Sequence, residues 1–360
     1  MSDTVARHYE IYPYPHYPLI ASVRRCDTYA LNLDALWARF NGRLPPATVR
    51  RILIAGCGSF SPYPFAVANP AVPITALDLS RSSLRRARLH CLLHGKTNVT
   101  YQAGNLLDPQ IAQGYFAMID AYGVLHHLDD PAAGLNALAQ RLTKGGILRL
   151  MVYSRYARKQ EESIRRAFRL LNVTDPSAVR RLIKRSKPDS RLRHFAETSP
   201  EAGFDAGLAD SLLHPRVTTY RIDELMSMVS QSGLQPLLFA HRGALEDVDQ
   251  EVRRIRQMEA RHTSPGNFVL YLGKQTSGPC RDSDSQLMLN PCLTACVRPW
   301  QIAPLSIAPR LGHDLPSLGL RDKKILRRFI HPVPLNSLSV DQQHAVAVYI
   351  QGLFLLQYRV

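Results

Sequence analysis

The apolar positions of this chain change rhythm several times, and the changes divide it. Between residues 50 and 154, apolar runs of strand length alternate with stretches of helical spacing. The runs at 51–55, 73–78, 98–102, 116–121 and 147–153 read as five strands. Residues 82–95 and 131–143 read as helices, with Gly95 stopping the first and Gly145-Gly146 turning the chain into the fifth strand. Strands separated by helices imply right-handed crossovers and a parallel sheet. Two later runs, 234–240 and 267–272, complete a set of seven. The expected fold is α/β: a seven-stranded, mostly parallel sheet with helices on both faces, a helical insertion and a small C-terminal unit.

The flanks break the rhythm. Residues 1–45 open with Tyr9-Glu-Ile-Tyr-Pro-Tyr-Pro-His-Tyr-Pro18, where proline at alternate positions excludes a helix and forces an extended strap. Leu31, Leu33, Leu36, Trp37 and Phe40 then mark an amphipathic helix within 28–44. The core occupies 46–154, and an insertion fills 155–222. Ile164, Phe168, Leu171, Val179, Leu182 and Ile183 recur there at helical spacing, which predicts two or three helices. The rest of the core sheet follows over 223–274. Residues 275–290, rich in Ser, Gly, Asp and Gln around Gly278-Pro279, read as a linker. A small, mainly helical unit is expected over 291–360, proline-rich to about 316, with helices at 321–330 and 339–356.

Composition narrows the setting. The 360 residues are 45% hydrophobic and 21% charged, ordinary for a globular protein. No run of 18 apolar residues exists, so no membrane span is expected. The opening Met-Ser-Asp-Thr has no basic stretch followed by an apolar core, as a secretory signal would. The six cysteines are scattered, and Cys292 and Cys296 lack companions for a four-ligand site, so no metal is expected. These features fit a reduced, cytoplasmic protein. The net charge of +16 favours anionic partners. Residues 155–193 alone hold 13 Lys and Arg against 4 Asp and Glu. Aromatics are sparse among those basic residues, so a platform for stacking single-stranded nucleic acid is not favoured.

The candidate chemistry lies where the first two strands end. Arg51-Ile-Leu-Ile-Ala-Gly-Cys-Gly-Ser59 is an apolar strand running into two glycines, and Leu77-Asp-Leu-Ser80 is a second strand ending in an acid. Glycine lets the backbone turn sharply against a ligand, and the acid accepts hydrogen bonds from ribose hydroxyls. A dinucleotide site would want glycine at position 61, where Ser61 stands, and no phosphate-binding GK[ST] follows. An adenosine cofactor without phosphate fits best.

With the strands placed, the core resembles the class I S-adenosylmethionine-dependent methyltransferases. The resemblance rests on Ile54-Ala-Gly-Cys-Gly58, Ala76-Leu-Asp-Leu-Ser80, Gly104-Asn-Leu-Leu-Asp108, Tyr122-Gly-Val-Leu-His-His-Leu-Asp-Asp-Pro131 and Thr143-Lys-Gly-Gly-Ile147. Tyr9–Pro15 is also similar to a YExxPYP segment that precedes the core in one bacterial subgroup. The resemblance implies S-adenosyl-L-methionine as cofactor. It places Gly56, Cys57 and Gly58 along the methionine part, Asp78 on the ribose, Leu79 on the adenine, and Asn105 and Leu106 at the adenine edge. The backbone of Ala121 and Tyr122 would face the methionine amino group. Phe60 replaces the last glycine of the usual GxGxG, and Asn105 replaces the usual acid.

Methyl transfer from a sulfonium is an in-line displacement, and the protein chiefly positions the acceptor and excludes water. Where the acceptor must lose a proton, His126 and Tyr14 are the candidate catalytic residues, with His126 rather than His127 expected to face the acceptor. Tyr9, Tyr12, Tyr14, His126, Tyr153 and Tyr220 are the candidate acceptor-side residues. Three functions compete. The leading one is methylation of a small-molecule nucleophile at O, N or S, a thiol included. The second is methylation of RNA or protein through the basic insertion. The third is a cofactor-binding regulator without turnover.

Overall fold

The computed structural model describes residues 3–312, 314 and 317–360; the start of the expected strap and the end of the proline-rich run at 316 lie outside the described residues. Seven strands form the central sheet: β1 (Ile52–Ala55), β2 (Ile74–Asp78), β3 (Val99–Ala103), β4 (Phe116–Tyr122), β5 (Leu142–Tyr153), β6 (Gln235–Phe239) and β7 (Asn267–Gly273). Their spatial order is β3-β2-β1-β4-β5-β7-β6. The first five are parallel, and β7 runs antiparallel to both β5 and β6. Because β1 is covered on both faces, all four of its residues are buried.

Side-chain alternation along the strands separates two cores. Ile52, Ile54, Ile74, Ala76, Met118 and Ile147 face one layer with Leu36, Trp37 and Phe65. Leu53, Ala55, Leu77, Ile119, Leu148 and Leu150 face the other with Leu135, Leu138, Leu225 and Ile255. Helices Arg81–Leu93, Pro131–Arg141 and Val248–Ala260 start where Ser80, Asp130 and Asp247 accept from backbone amides of the first turn. Strand β5 begins at Leu142, earlier than expected, because the diglycine makes an irregularity inside the strand: Phe116 pairs with Leu142 and Met118 with Ile147.

The flanks differ more from expectation. Residues Asp3–Ile11 are helical rather than extended. The exclusion of helix acts only from Tyr12 onward, since Pro13, Pro15 and Pro18 restrict themselves and their predecessors. The amphipathic helix is Leu33–Asn41, started by the Asn32 side chain and ended by Gly42 at φ 64°. The insertion contains helices Lys159–Leu170, Pro176–Arg185, Arg191–Thr198 and Asp205–Leu208. Ile164, Phe168, Val179, Phe195, Leu208 and Leu212 form its own core, whereas Leu171 is exposed.

Beyond the sheet, the expected linker contains β8 (Gln286–Leu289), a strand too short to stand out beside Asp- and Ser-rich neighbours. It pairs antiparallel with β9 (Val333–Pro334) and β10 (Leu355–Tyr358). The helix expected over 339–356 is Val340–Gln351, and Leu353 at φ 58° breaks it before β10. Leu289, Leu293, Phe329 and Phe354 share a core with Tyr29 and Trp37, so the C-terminal elements pack directly on helix Leu33–Asn41 and the turn before it. Among the described residues no helix is long and apolar enough to cross a membrane.

Candidate active site

A cavity of about 610 Å³ opens over the C-terminal ends of β1, β2, β4 and β5. Gly56 and Gly58 lie at φ 67° and 56°, a region only glycine enters freely. A Cβ on Gly56 would stand 2.5 Å from Val124 Cγ2, and one on Gly58 would stand 2.5 Å from the carbonyl oxygen of Tyr14. The turn is therefore compressed from both sides, and the Tyr14 carbonyl also accepts from Ser59 N at 3.1 Å. Asp78 closes the same loop: its Oδ2 accepts from Gly58 N at 2.8 Å and its Oδ1 from Ser80 N at 2.9 Å. Each carboxylate oxygen keeps a second lone pair. Burial raises the Asp78 pKa, and the amides of Ser80, Gly58 and Leu79 oppose that rise. Leu79, Leu106 and Phe60 continue the wall, and Phe60 packs edge-on against His90 with ring centres 5.1 Å apart.

The other end of the cavity is built by the N-terminal helix and the insertion. Tyr9 Oη donates to Asp210 Oδ1 at 2.8 Å. Tyr14, Tyr153, His127, Glu201 and Arg158 line the same recess. Arg158 donates to Glu161 and Asn267 and lies 4.3 Å over the Tyr153 ring. His127 Nδ1 lies 2.8 Å from the carbonyl oxygen of Arg216. A carbonyl only accepts, so Nδ1 carries the proton and Nε2 is left as a free base. Burial lowers the His127 pKa to about 4, so the imidazole is neutral at physiological pH. Its ring lies 3.8 Å from that of His214, whose Nδ1 accepts from Arg216 N. Burial pushes the phenols of Tyr9, Tyr14 and Tyr153 up, so all three stay protonated.

Between the two ends stands an ion pair whose acid is buried and whose arginine reaches the cavity. Arg149 Nε donates to Asp120 Oδ1 at 2.6 Å, from facing positions on β5 and β4. The guanidinium lies 4.8 Å over the Tyr122 ring and 5.5 Å from that of Phe65.

Most of the expected residues meet in this cavity: Gly56, Cys57, Gly58, Asp78, Leu79, Leu106 and Tyr122 at one end, Tyr9, Tyr14 and Tyr153 at the other. Five do not line it. Asn105 spends its side chain on its own turn, accepting from Leu107 N at 2.9 Å. Ala121 is buried beneath Tyr122 in the opposite core. Tyr12 follows the end of the N-terminal helix and faces His8. Tyr220 extends β5 through an isolated bridge with Ser154 and packs into the opposite core. His126 is fully buried, stacked 3.9 Å from Tyr153, and neither ring nitrogen has a partner among the described residues. Its neighbour His127 faces the cavity instead. Asp210, Glu201 and Arg149 went unread in the sequence; an acid inside the apolar run 206–213 was the one available signal for Asp210.

The residues fit S-adenosylmethionine. A carboxylate with spare lone pairs stands in the cavity wall beside the glycine turn, apolar walls flank it, and aromatic faces suited to a sulfonium lie beyond. Fold and site together define a class I S-adenosylmethionine-dependent methyltransferase, and the chain belongs to that family. Residues 53–148 match the family model described as a methyltransferase domain. The uncharacterized protein syc1184_c of Synechococcus sp. is 30% identical over 328 residues, covering 83% of this chain and 79% of that one, and the two belong to one family. The ubiquinone biosynthesis O-methyltransferase of Thiobacillus denitrificans is 27% identical over 197 residues, covering 53% of this chain and 80% of that one. In fold, the chain is similar to PKMT2 from Rickettsia typhi, solved also with AdoHcy, with a TM-score of 0.56 at 16% identity over 96% of this chain and 77% of that one.

Proposed function

We propose that the protein methylates a small-molecule nucleophile, with a hydroxyl or thiol favoured over an amine. The observation that carries this reading is the free Nε2 of His127 at the acceptor end of the cavity. When bound, S-adenosylmethionine supplies an activated methyl group. The chain's own residues then have three tasks. Tyr9, Tyr14 and Tyr153 surround the acceptor and exclude water. His127 Nε2 takes the acceptor's proton; burial leaves it unprotonated but weakens it as a base, so it suits an acidic hydroxyl or thiol. Asp210, anchored by Tyr9, keeps the N-terminal helix against the insertion. On the cofactor, Asp78 binds the ribose hydroxyls, Leu79 and Leu106 flank the adenine, and the Gly56–Gly58 backbone lines the methionine part.

The cavity volume supports a small acceptor. About 610 Å³ lies inside the usual range of roughly 300–1,000 Å³ for one small-ligand site, and here it must hold the cofactor as well. The relatives named for ubiquinone biosynthesis O-methylation support an oxygen acceptor. Methylation of RNA or protein is the second reading, favoured by exposed Arg166, Arg169, Arg181, Lys184, Arg185 and Lys187 on the insertion.

The test is S-adenosylhomocysteine release with a panel of phenols, thiols and amines beside total RNA and a protein extract. Turnover on a phenol or thiol is expected. Methyl incorporation into RNA or protein alone would select the second reading, and cofactor binding without release on any acceptor would select a regulator.

A further inference from the structure

We propose that Arg149 binds the carboxylate of the cofactor's methionine end, and that Asp120 is its positioning residue. The inference concerns the cofactor and stands whatever the acceptor is. Arg149 has five N–H donors, and among the described residues only Nε is bonded, to Asp120. The residue lines the cavity together with Gly56, Gly58, Tyr122 and Gly123. The rings of Tyr122 and Phe65 lie 4.8 and 5.5 Å from its guanidinium, and Asp120, itself almost fully buried, holds one edge. Burial works against the charge, and Asp120 outweighs it, so the group remains a guanidinium.

The Arg149 side chain is 19% exposed, toward the cavity, so its unused donors are open to a ligand that enters there. The ligand this cavity takes carries one planar anion, its α-carboxylate, and a guanidinium end matches a carboxylate through two parallel hydrogen bonds. The other cations of the wall are differently placed. Arg158 is bonded to Glu161 and Asn267 over the Tyr153 ring. Arg310 is exposed at the rim, where its backbone amide donates to Tyr29 Oη. Strand register explains the design: Asp120 and Arg149 face each other across β4 and β5, two residues before the Tyr122 and Met151 pair that ends β4 and so on the same face of the sheet.

The experiment is calorimetric binding of S-adenosylmethionine and of its decarboxylated analogue, which keeps the sulfonium, ammonium and adenosine. Wild-type protein should bind the analogue roughly 10- to 100-fold more weakly, the range expected of a charge-assisted pair. Arg149→Gln should weaken S-adenosylmethionine by a similar factor and leave the analogue within about twofold, so the ratio collapses toward one. Arg149→Lys, which keeps charge without the fork, should fall between, as should Asp120→Asn. Arg310→Gln should keep the wild-type ratio. Equal binding of both ligands by wild-type protein would overturn the proposal without any variant. So would equal weakening of both by Arg149→Gln, or collapse of the ratio in Arg310→Gln, which would move the carboxylate to the rim.

Discussion

The two ends of the cavity are built in opposite ways. At the cofactor end, the polar groups satisfy one another locally. Asp78 bonds Gly58 and Ser80, the farther of them 20 residues away, and both bonds come from backbone amides that the strands already fix. At the acceptor end, the partners come from distant segments: Tyr9 meets Asp210 across 201 residues. Several polar atoms there, both nitrogens of His126 and Nε2 of His214 and of His8, have no partner among the described residues. The first end is preorganised by the sheet. The second exists only when the N-terminal helix and the insertion are docked together, and the histidines left without partners stand behind its wall, where only His127 of the cluster reaches the cavity.

Removing the docking should separate the ends most strongly. The segment before Leu19 holds on to the nucleotide loops at several points: Tyr14 and Pro15 carbonyls accept from Ser59, Tyr9 O accepts from Ser80 Oγ, and the Glu10 carboxylate accepts from Ser82 N. Deleting residues 1–18 is expected to abolish turnover and speed cofactor release while the sheet still melts cooperatively. Stopped-flow release and calorimetric melting check this. A truncated protein with normal kinetics would mean the acceptor end does not need the segment.

His127 divides the ends more finely. His127→Gln should lower kcat by about 10²- to 10⁴-fold, the usual worth of a positioned base, and leave cofactor affinity within about twofold. His126→Phe, which keeps a ring on Tyr153, should spare most of kcat. The pH dependence follows in sign. His127 and His8 are both lowered by burial to about 4, from 6.5. Turnover should therefore hold as pH falls from 7.5 to 5.5. Stability should not: below 6.5 the unfolded chain takes up protons that the folded one refuses, so the stability present above pH 6.5 is lost progressively toward pH 4. A melting temperature flat across that window would place both rings outside the interior.

Asp78→Ala tests the preorganised end alone. Two charge-assisted bonds to ribose, each of about 1.5–3 kcal/mol, predict at least a tenfold loss of cofactor affinity. The fold should survive, though the Gly58 and Ser80 amides lose their acceptor. Unchanged affinity by calorimetry would remove Asp78 from the ribose.

The same contrast explains what the sequence revealed. Strands β1, β2 and β4, the glycines and Asp78 were legible because their interactions are short in sequence and their periods regular. The choice between His126 and His127 was not. Leu125–His127 is a 3₁₀ turn, in which successive side chains point about 120° apart. Which one faces the cavity is decided by Arg216 and Thr218, which bond His127 Nδ1 and the His126 carbonyl from about 90 residues downstream. Asp210 was hidden for the same reason. At the C-terminus, Leu355 and Leu356 continued the helical spacing of 339–354, and only the backbone at Leu353 shows that they belong to β10.

The smallest expected effect on turnover lies outside both ends, on the basic insertion. Arg180 donates to Asp205 Oδ1 and belongs to the insertion's own packing, so reversing it would disturb that packing. Arg181, Lys184 and Arg185 are exposed and form no ion pair among the described residues. Reversing these three to Glu should change turnover on a small acceptor by less than about twofold, the scale of a surface change that touches no buried group. It should also weaken nonspecific RNA binding, with the log–log salt slope falling by about 0.7 for each phosphate that is no longer neutralised. Filter binding across a salt series measures the slope, and the release assay measures turnover on the same preparations. If the triple reversal left RNA binding alone and abolished turnover, the insertion would belong to the acceptor end in a way its geometry does not suggest. If it abolished methylation of RNA while small acceptors stayed inert, the cavity's enclosed end would be receiving a group presented by a polymer, and the basic face would be its landing surface.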